Sequence, residues 1–122
     1  MDLIRDAHDK GRRKYPRIPV ALEIRCEESS KPITFVSRDI SLGGVFVETS
    51  HVFPVGVNVI LQCKLPYTHG ELRIQGQVVR HNQDSHSGVV DGMAIHFQDL
   101  TQLDKQIIQE YIEHTIHEDS KV

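Results

Sequence analysis

The feature of this sequence that most constrains its fold is an alternation of apolar and polar side chains that starts at Ile18. Val20, Leu22, Ile24 and Cys26 alternate with polar or small residues. Side chains on a β-strand point to opposite faces in turn, so this alternation predicts a strand with one buried face. Further strands are predicted between glycine, proline and polar turn segments, over residues 33–39, 45–48, 57–65, 71–81 and 93–97.

Six short strands with no helices between them indicate the fold class. A parallel α/β sheet would need helices as connections, so the pattern favours an all-β fold, a six-stranded antiparallel β-barrel with a C-terminal amphipathic helix. A chain of 122 residues has room for one domain. We expect a flexible basic arm at residues 1–17, the barrel at 18–98 and the helix at 99–117.

The helix is predicted because the period changes after the last strand. Apolar residues then recur three or four positions apart, at Leu100, Leu103, Ile107, Ile108, Tyr111, Ile112 and Ile116. Asp99 or Thr101 is suited to be the N-cap. We expect the apolar stripe to pack on the mouth of the barrel or on a partner subunit, which leaves a monomer or a homodimer open.

Positive charge is concentrated ahead of the first strand. Five cationic residues lie there with no acid between Lys10 and Ala21, namely Lys10, Arg12, Arg13, Lys14 and Arg17. Such a cluster attracts anions. The formal net charge is nevertheless −3, and the C-terminal part is mostly acidic, so binding to DNA is not expected. Aromatic residues make up only 6%, which supplies few rings for stacking on single-stranded nucleic acid.

The sequence also predicts the compartment. No segment is apolar enough for a signal peptide or a membrane span, so we expect a cytoplasmic protein. Cys26 and Cys63 lie in apolar alternating segments. In a reducing compartment, two such cysteines are expected as buried thiols and not as a disulfide.

The first candidate motif is Arg12-Arg13-Lys14-Tyr15-Pro16-Arg17. Pro16 and Pro19 favour an extended backbone, because each fixes its own φ and disfavours helix in the residue before it. An arginine fork fits both a phosphate and the O6 and N7 edge of guanine, whereas lysine supplies only a point charge. Taken alone, this segment favours a solvated basic leader over a specific site.

The second candidate motif is Asp39-Ile40-Ser41-Leu42-Gly43-Gly44, between two predicted strands. Asp39 can accept hydrogen bonds from the ring N–H and exocyclic amine of guanine, and Ser41 can donate or accept. Gly43 and Gly44 leave room for a flat ligand to approach the backbone. Taken alone, the motif is also compatible with an ordinary turn, with Asp and Ser capping backbone groups and glycine at positive φ.

The two motifs together, in this order around a predicted strand, resemble those of the PilZ domain family. The resemblance extends through Gly92-Met93-Ala94-Ile95-His96-Phe97 and the helix, and covers residues 12–111. It implies a six-stranded barrel that binds the bacterial second messenger cyclic di-GMP on its outer surface. It assigns guanine edges and phosphates to Arg13 and Arg17.

The resemblance also assigns a guanine to Asp39, Ser41 and Gly44, with Gly43 beside them. Arg12 matches a position where an arginine favours an intercalated ligand dimer. Arg80 lies where family members often add a contact, although an aromatic residue sometimes found there for stacking is absent from this sequence. Either binding is weaker for that reason, or Arg12 supplies the stacking.

We therefore expect a cyclic di-GMP receptor that signals to an unidentified downstream protein when the ligand orders the arm. Two alternatives are a PilZ-like interaction module that does not bind nucleotide and a nucleic-acid-binding barrel that uses the basic arm. An enzyme is not expected, and neither a metal nor a cofactor is. His114 and His117 lie on the predicted helix without clustered Cys or carboxylate residues, and the sequence places no base near Ser41.

Overall fold

The computed structural model describes residues 17–28, 31–68 and 70–120. These residues form seven strands and one helix. The strands are β1 (Ile18–Pro19), β2 (Glu23–Glu28), β3 (Lys31–Ile40), β4 (Gly44–Glu48), β5 (Asn58–Cys63), β6 (Leu72–Gln83) and β7 (Val90–Gln98), and the C-terminal helix is Gln102–Ser120.

The strands close into an antiparallel barrel. Their order is β1-β3-β2-β5-β6-β7-β4, and β4 also pairs with β3, which joins the two ends of the sheet. Six strands therefore form the barrel, and the two-residue β1 pairs only with β3. The predicted fold class is confirmed. The additional short strand was not predicted.

The first predicted strand is divided into β1 and β2 by one extra residue. Residues 20–22 face only residues 37–38, because the register changes between the two strands. The Ser37 hydroxyl fills the resulting gap. It accepts a hydrogen bond from the Leu22 amide at 2.9 Å and donates one to the Val20 carbonyl at 2.5 Å. Ser37 is 2% exposed, so its side chain replaces ladder hydrogen bonds inside the wall.

Several strands are longer in the structure than the sequence predicted. The loop predicted over residues 82–88 is shorter, because β6 continues to Gln83 and β7 begins at Val90. The turn between them is closed by Asp84, whose carboxylate accepts hydrogen bonds from the amide and hydroxyl of Ser87, both at 2.9 Å. In contrast, β5 is shorter than predicted, and the helix extends beyond residue 117.

The helix stripe packs against the barrel. Ile107, Ile108, Tyr111 and Ile112 are buried in one cluster with the inward side chains of the strands, as the first of the two predicted packing modes requires. The two ends of the stripe differ from the prediction. Leu103 near the start of the helix is 63% exposed, and Ile116 near its end is 46% exposed.

Thr101 is the N-cap of the helix. Its hydroxyl accepts a hydrogen bond from the Asp104 amide at 3.0 Å, and the Asp104 carboxylate accepts one from the Thr101 amide at 3.2 Å. This is a reciprocal capping box. Asp99, the other candidate, lies before the cap with a φ of 53°. No helix among the described residues is both long and apolar enough to cross a membrane.

Cys26 and Cys63 are both buried free thiols, as predicted. Burial raises the pKa of Cys26 to about 12, with a smaller contribution from the charge of Glu28. Burial likewise raises the pKa of Cys63 to about 11, with Glu71 adding to the effect. Both cysteines are therefore packing residues of the barrel interior.

Candidate ligand-binding site

A groove of about 600 Å³ lies on the outer wall of the barrel. It runs over β3, β4, β7 and β6 and reaches the start of the C-terminal helix. Six of the sequence-predicted site residues line it together: Arg17, Asp39, Ser41, Gly43, Gly44 and Arg80. The other two, Arg12 and Arg13, lie outside the described residues.

The strand register places residues from distant parts of the chain side by side. Asp39 pairs with Phe46, Phe46 pairs with Ala94, and Ala94 pairs with Arg80. These four residues form one row across the outer face of four neighbouring strands. The row extends on the other side to Pro19 of β1, which pairs with Asp39 and brings Arg17 to the edge of the groove.

Two irregularities in the ladders turn the polar residues outward. One extra residue, Arg38, interrupts the pairing of β3 with β4, and another, Val79, interrupts the pairing of β6 with β7. Side chains two positions apart on a regular strand point to the same face. Asp39 and Arg80 each follow a buried residue, Ser37 and Val78, by two positions, so strict alternation would point them into the barrel. Each bulge shifts the alternation by one position and places the following residue outside.

The turn between β3 and β4 is held by its own hydrogen bonds. The Ser41 amide donates to the Gly44 carbonyl at 2.9 Å, and the Gly43 amide donates to the Ser41 hydroxyl at 3.1 Å. Ser41 therefore has the capping role of an ordinary turn while its hydroxyl proton remains available for donation. Neither glycine has a positive φ, so that part of the turn interpretation is wrong.

Gly44 is required by the barrel itself. A Cβ on Gly44 would clash with the Ile95 carbonyl oxygen and approach the His96 Cα to 3.2 Å. The absence of a side chain therefore allows β4 and β7 to pair closely. The predicted role of Gly44 in the approach of a ligand stays a prediction beside this structural role.

Arg17 and Asp39 form an ion pair at one end of the groove. The Arg17 Nη1 and Asp39 Oδ1 atoms are 3.8 Å apart, and the side chains are 34% and 22% exposed. The basic leader therefore ends next to the carboxylate of the second motif. This is the arrangement that the two-motif prediction requires for the part of the leader that the structure describes.

Phe46 is an aromatic support that the sequence reasoning missed. It lies on the outer face yet is only 4% exposed, because two guanidinium groups cover it. The Cζ of Arg38 is 4.5 Å and that of Arg80 is 5.6 Å from the ring centroid. Arg38 is held in turn by Glu48, with 3.1 Å between Nε and Oε2. A cation over an aromatic face is favourable, so the Phe46 ring helps to hold the Arg80 guanidinium at the groove.

Three further charged or titratable residues of the groove were also not predicted as site residues. His96 projects from β7, Asp99 precedes the helix, and Lys105 comes from its first turn. Their spacing in the sequence gives no indication that they meet. The described residues contain no group of three His, Cys, Asp or Glu side chains that could hold a metal ion.

These features define a class of protein: a closed six-stranded barrel with a charged groove on its wall, formed by a strand-connecting turn and the end of a basic leader. The model of the PilZ domain family matches residues 11–114. The chain belongs to this family.

Solved structures of the same fold are similar over most of the chain. The Bacillus subtilis inhibitor of motility MotI/DgrA has a TM-score of 0.72 and 23% identity, covering 86% of this chain and 52% of that chain. The PilZ domain of YcgR from Escherichia coli, solved with c-di-GMP, has a TM-score of 0.67 and 15% identity, covering 91% of this chain and 99% of that chain. The K. pneumonia MrkH–c-di-GMP complex has a TM-score of 0.69 and 17% identity, covering 89% of this chain and 54% of that chain.

The chain therefore spans about half the length of MotI/DgrA and of MrkH. At identities below 25%, the structural similarity to these proteins shows a common fold. No curated protein sequence matches the chain significantly.

Proposed function

We propose that this chain is a cyclic di-GMP receptor and adaptor that signals to a downstream protein. The observation that supports the proposal most directly is the grouping of Arg17, Asp39, Ser41 and Arg80 along one groove of about 600 Å³. Arginine forks suit phosphates and guanine edges, and a carboxylate suits the ring N–H and amine of guanine. Relatives of the same fold, YcgR and MrkH, were solved with this ligand.

In this proposal the ligand separates the Arg17–Asp39 ion pair, and each of the two side chains then contacts a group of the ligand. Arg17 leaves Asp39 for a phosphate or a guanine edge, and Asp39 accepts from a guanine. Arg12 and Arg13 close over the ligand from the arm, with Arg12 available for a second, intercalated molecule. Ordering the arm costs conformational entropy, so the ligand contacts must exceed that cost.

The changed surface of arm and groove then faces the downstream protein. The chain acts as a receptor and has no enzymatic role, and it needs no resident metal or cofactor. It works in the cytoplasm, where the second messenger is found, and does not engage DNA. Two buried free thiols are in keeping with a reducing compartment.

Isothermal titration calorimetry with cyclic di-GMP tests the proposal, with GTP and cyclic GMP as ligand controls. The wild-type protein should bind cyclic di-GMP alone, at one or two molecules per chain. Arg17→Ala should weaken binding by roughly tenfold to a hundredfold, since a bidentate guanine contact contributes about 1–3 kcal/mol. The same loss is expected for Arg13→Ala.

Arg73→Ala is the matched control, because Arg73 is exposed on β6 but does not line the groove. It should bind as the wild type does. Equal affinity of Arg17→Ala and wild type would remove the assigned role of Arg17. No heat with any nucleotide would favour instead the interaction module that does not bind nucleotide.

A further inference from the structure

The groove has a second basic end, away from Arg17 and Asp39. Arg80 projects from β6 and His96 from β7, and both residues are exposed. His96 lies two residues along β7 from Ala94, the partner of Arg80, so the two side chains share the outer face of neighbouring strands. Lys105 reaches the same groove from the helix.

These three side chains lack acidic partners within the part of the chain that the structure describes. Arg80 contacts the Phe46 ring, and no described carboxylate forms an ion pair with Arg80, His96 or Lys105. The opposing charges of the groove are Asp39, which pairs with Arg17, and Asp99. Apart from the Arg17–Asp39 pair, the groove is therefore lined by two cations, Arg80 and Lys105, and by the imidazole of His96, against one acid, Asp99.

Lys105 is placed against the electrostatic preference of its helix. Its amide donates to the Thr101 carbonyl at 3.1 Å, so it belongs to the first helical turn. The N-terminal end of a helix carries partial positive charge and favours anions, not a lysine. An anion in the groove would remove this unfavourable arrangement.

We propose that Lys105 and His96, together with Arg80, form a subsite for a phosphodiester group of the dinucleotide, and that Lys105 thereby ties the C-terminal helix to the bound ligand. This inference rests on the proposed function. It adds the helix to the parts of the protein that respond to the ligand. Occupancy of the groove then stabilises the start of the helix, where Leu103 is 63% exposed and available to a partner.

The test compares Lys105→Gln and Lys105→Arg by calorimetry with cyclic di-GMP at low and high salt. Lys105→Gln should bind about tenfold more weakly, because a hydrogen bond to a charged group is lost. Its affinity should also depend less on salt than that of the wild type. Lys105→Arg retains the charge and should bind much as the wild type does. His96→Ala should weaken binding in the same direction.

Hydrogen exchange supplies a readout that a merely structural lysine would not change. Cyclic di-GMP should slow exchange of the amides at residues 102–108 in the wild type, and this protection should be lost in Lys105→Gln. Lys64→Gln is the control, since Lys64 is exposed and outside the groove. Matching melting temperatures of the unliganded variants exclude a folding defect.

The outcomes separate this inference from the function on which it rests. If Arg17→Ala weakens binding but Lys105→Gln and His96→Ala bind as the wild type does, the subsite is wrong and the receptor function stands. The same holds if helix protection persists in Lys105→Gln. If the wild type binds no cyclic di-GMP, the proposed function and the subsite are both wrong.

Discussion

Arg17, immediately before β1, forms an ion pair with Asp39 of β3, with 3.8 Å between Nη1 and Oδ1. Both side chains are partly exposed, and pairs of this kind contribute only about 0–1 kcal/mol to stability. Separating them is therefore inexpensive. The pair keeps the arginine and the carboxylate at the groove while leaving each of them able to contact a ligand group.

Asp39→Ala should accordingly separate binding from stability. We expect affinity for cyclic di-GMP to fall by about tenfold or more, because the acceptor for the guanine N–H groups is lost. Asp39→Asn should lose less affinity than Asp39→Ala, since its Oδ1 can still accept one hydrogen bond while its NH2 group replaces the second acceptor by a donor. Calorimetry gives the affinity and urea denaturation the stability, which should change by less than about 1 kcal/mol. A large loss of stability with unchanged affinity would give Asp39 a structural role instead.

Phe46 is expected to act on the ligand through Arg80. Phe46→Leu keeps an apolar residue beneath the guanidinium but removes the ring, so affinity should fall about two- to fivefold, the equivalent of a weak cation–π contact. In an Arg80→Ala background the same substitution should have no further effect on the calorimetric affinity. Additive losses in the double variant would show that Phe46 acts independently of Arg80.

Phe35→Leu is the control for that cycle. Phe35 belongs to the buried core and is absent from the groove lining. It should lower the free energy of unfolding, as a smaller core side chain does, and leave affinity unchanged.

The sequence predicted the proximity of neighbouring groove residues better than the direction of their side chains. Asp39 and Ser41 belong to a local motif, so their proximity follows from a few adjacent residues. The outward directions of Asp39 and Arg80 depend on the bulges at Arg38 and Val79, and plain alternation along β3 and β6 would have pointed both side chains inward. The register of each strand against its neighbour decides these directions, and the alternation along a single strand does not encode it.

Phe46 and Lys105 illustrate two other limits. Phe46 is the middle residue of three consecutive apolar residues in β4, a signal that one large apolar side chain lies outside the barrel. It does not reveal that Arg38 and Arg80 cover the ring. In the sequence, Lys105 is one polar residue of an amphipathic helix. Its place at the groove follows from the direction in which the helix docks, which tertiary packing determines.

Ser37→Ala should destabilise the fold although it removes a single oxygen atom. The hydroxyl satisfies both the Leu22 amide and the Val20 carbonyl within the wall, and losing a buried partner costs about 1–3 kcal/mol. Urea denaturation measures the change in the free energy of unfolding. Ser41→Ala is the matched control, because the Ser41 side chain is only partly buried, and its loss should stay below about 1 kcal/mol. Equal losses would show that the Ser37 bridge is not needed to join β1 to β2.

The two buried thiols should make the barrel less stable in alkali. The pKa of Cys26 is raised from 9.0 to about 12 and that of Cys63 from 9.0 to about 11, so the unfolded chain loses these protons first. The unfolded state is therefore favoured as the pH rises above 9.0, and the effect is complete near the folded-state values. Each thiol contributes up to about 1.4 kcal/mol per pH unit in that window and nothing below it.

Urea denaturation between pH 8 and pH 11 (roughly the window set by these shifts) should show a shallower decline in the free energy of unfolding for the Cys26→Ala/Cys63→Ala variant than for the wild type. Since Tyr111 and other groups titrate alike in both proteins, parallel declines would mean that the thiols are not the cause.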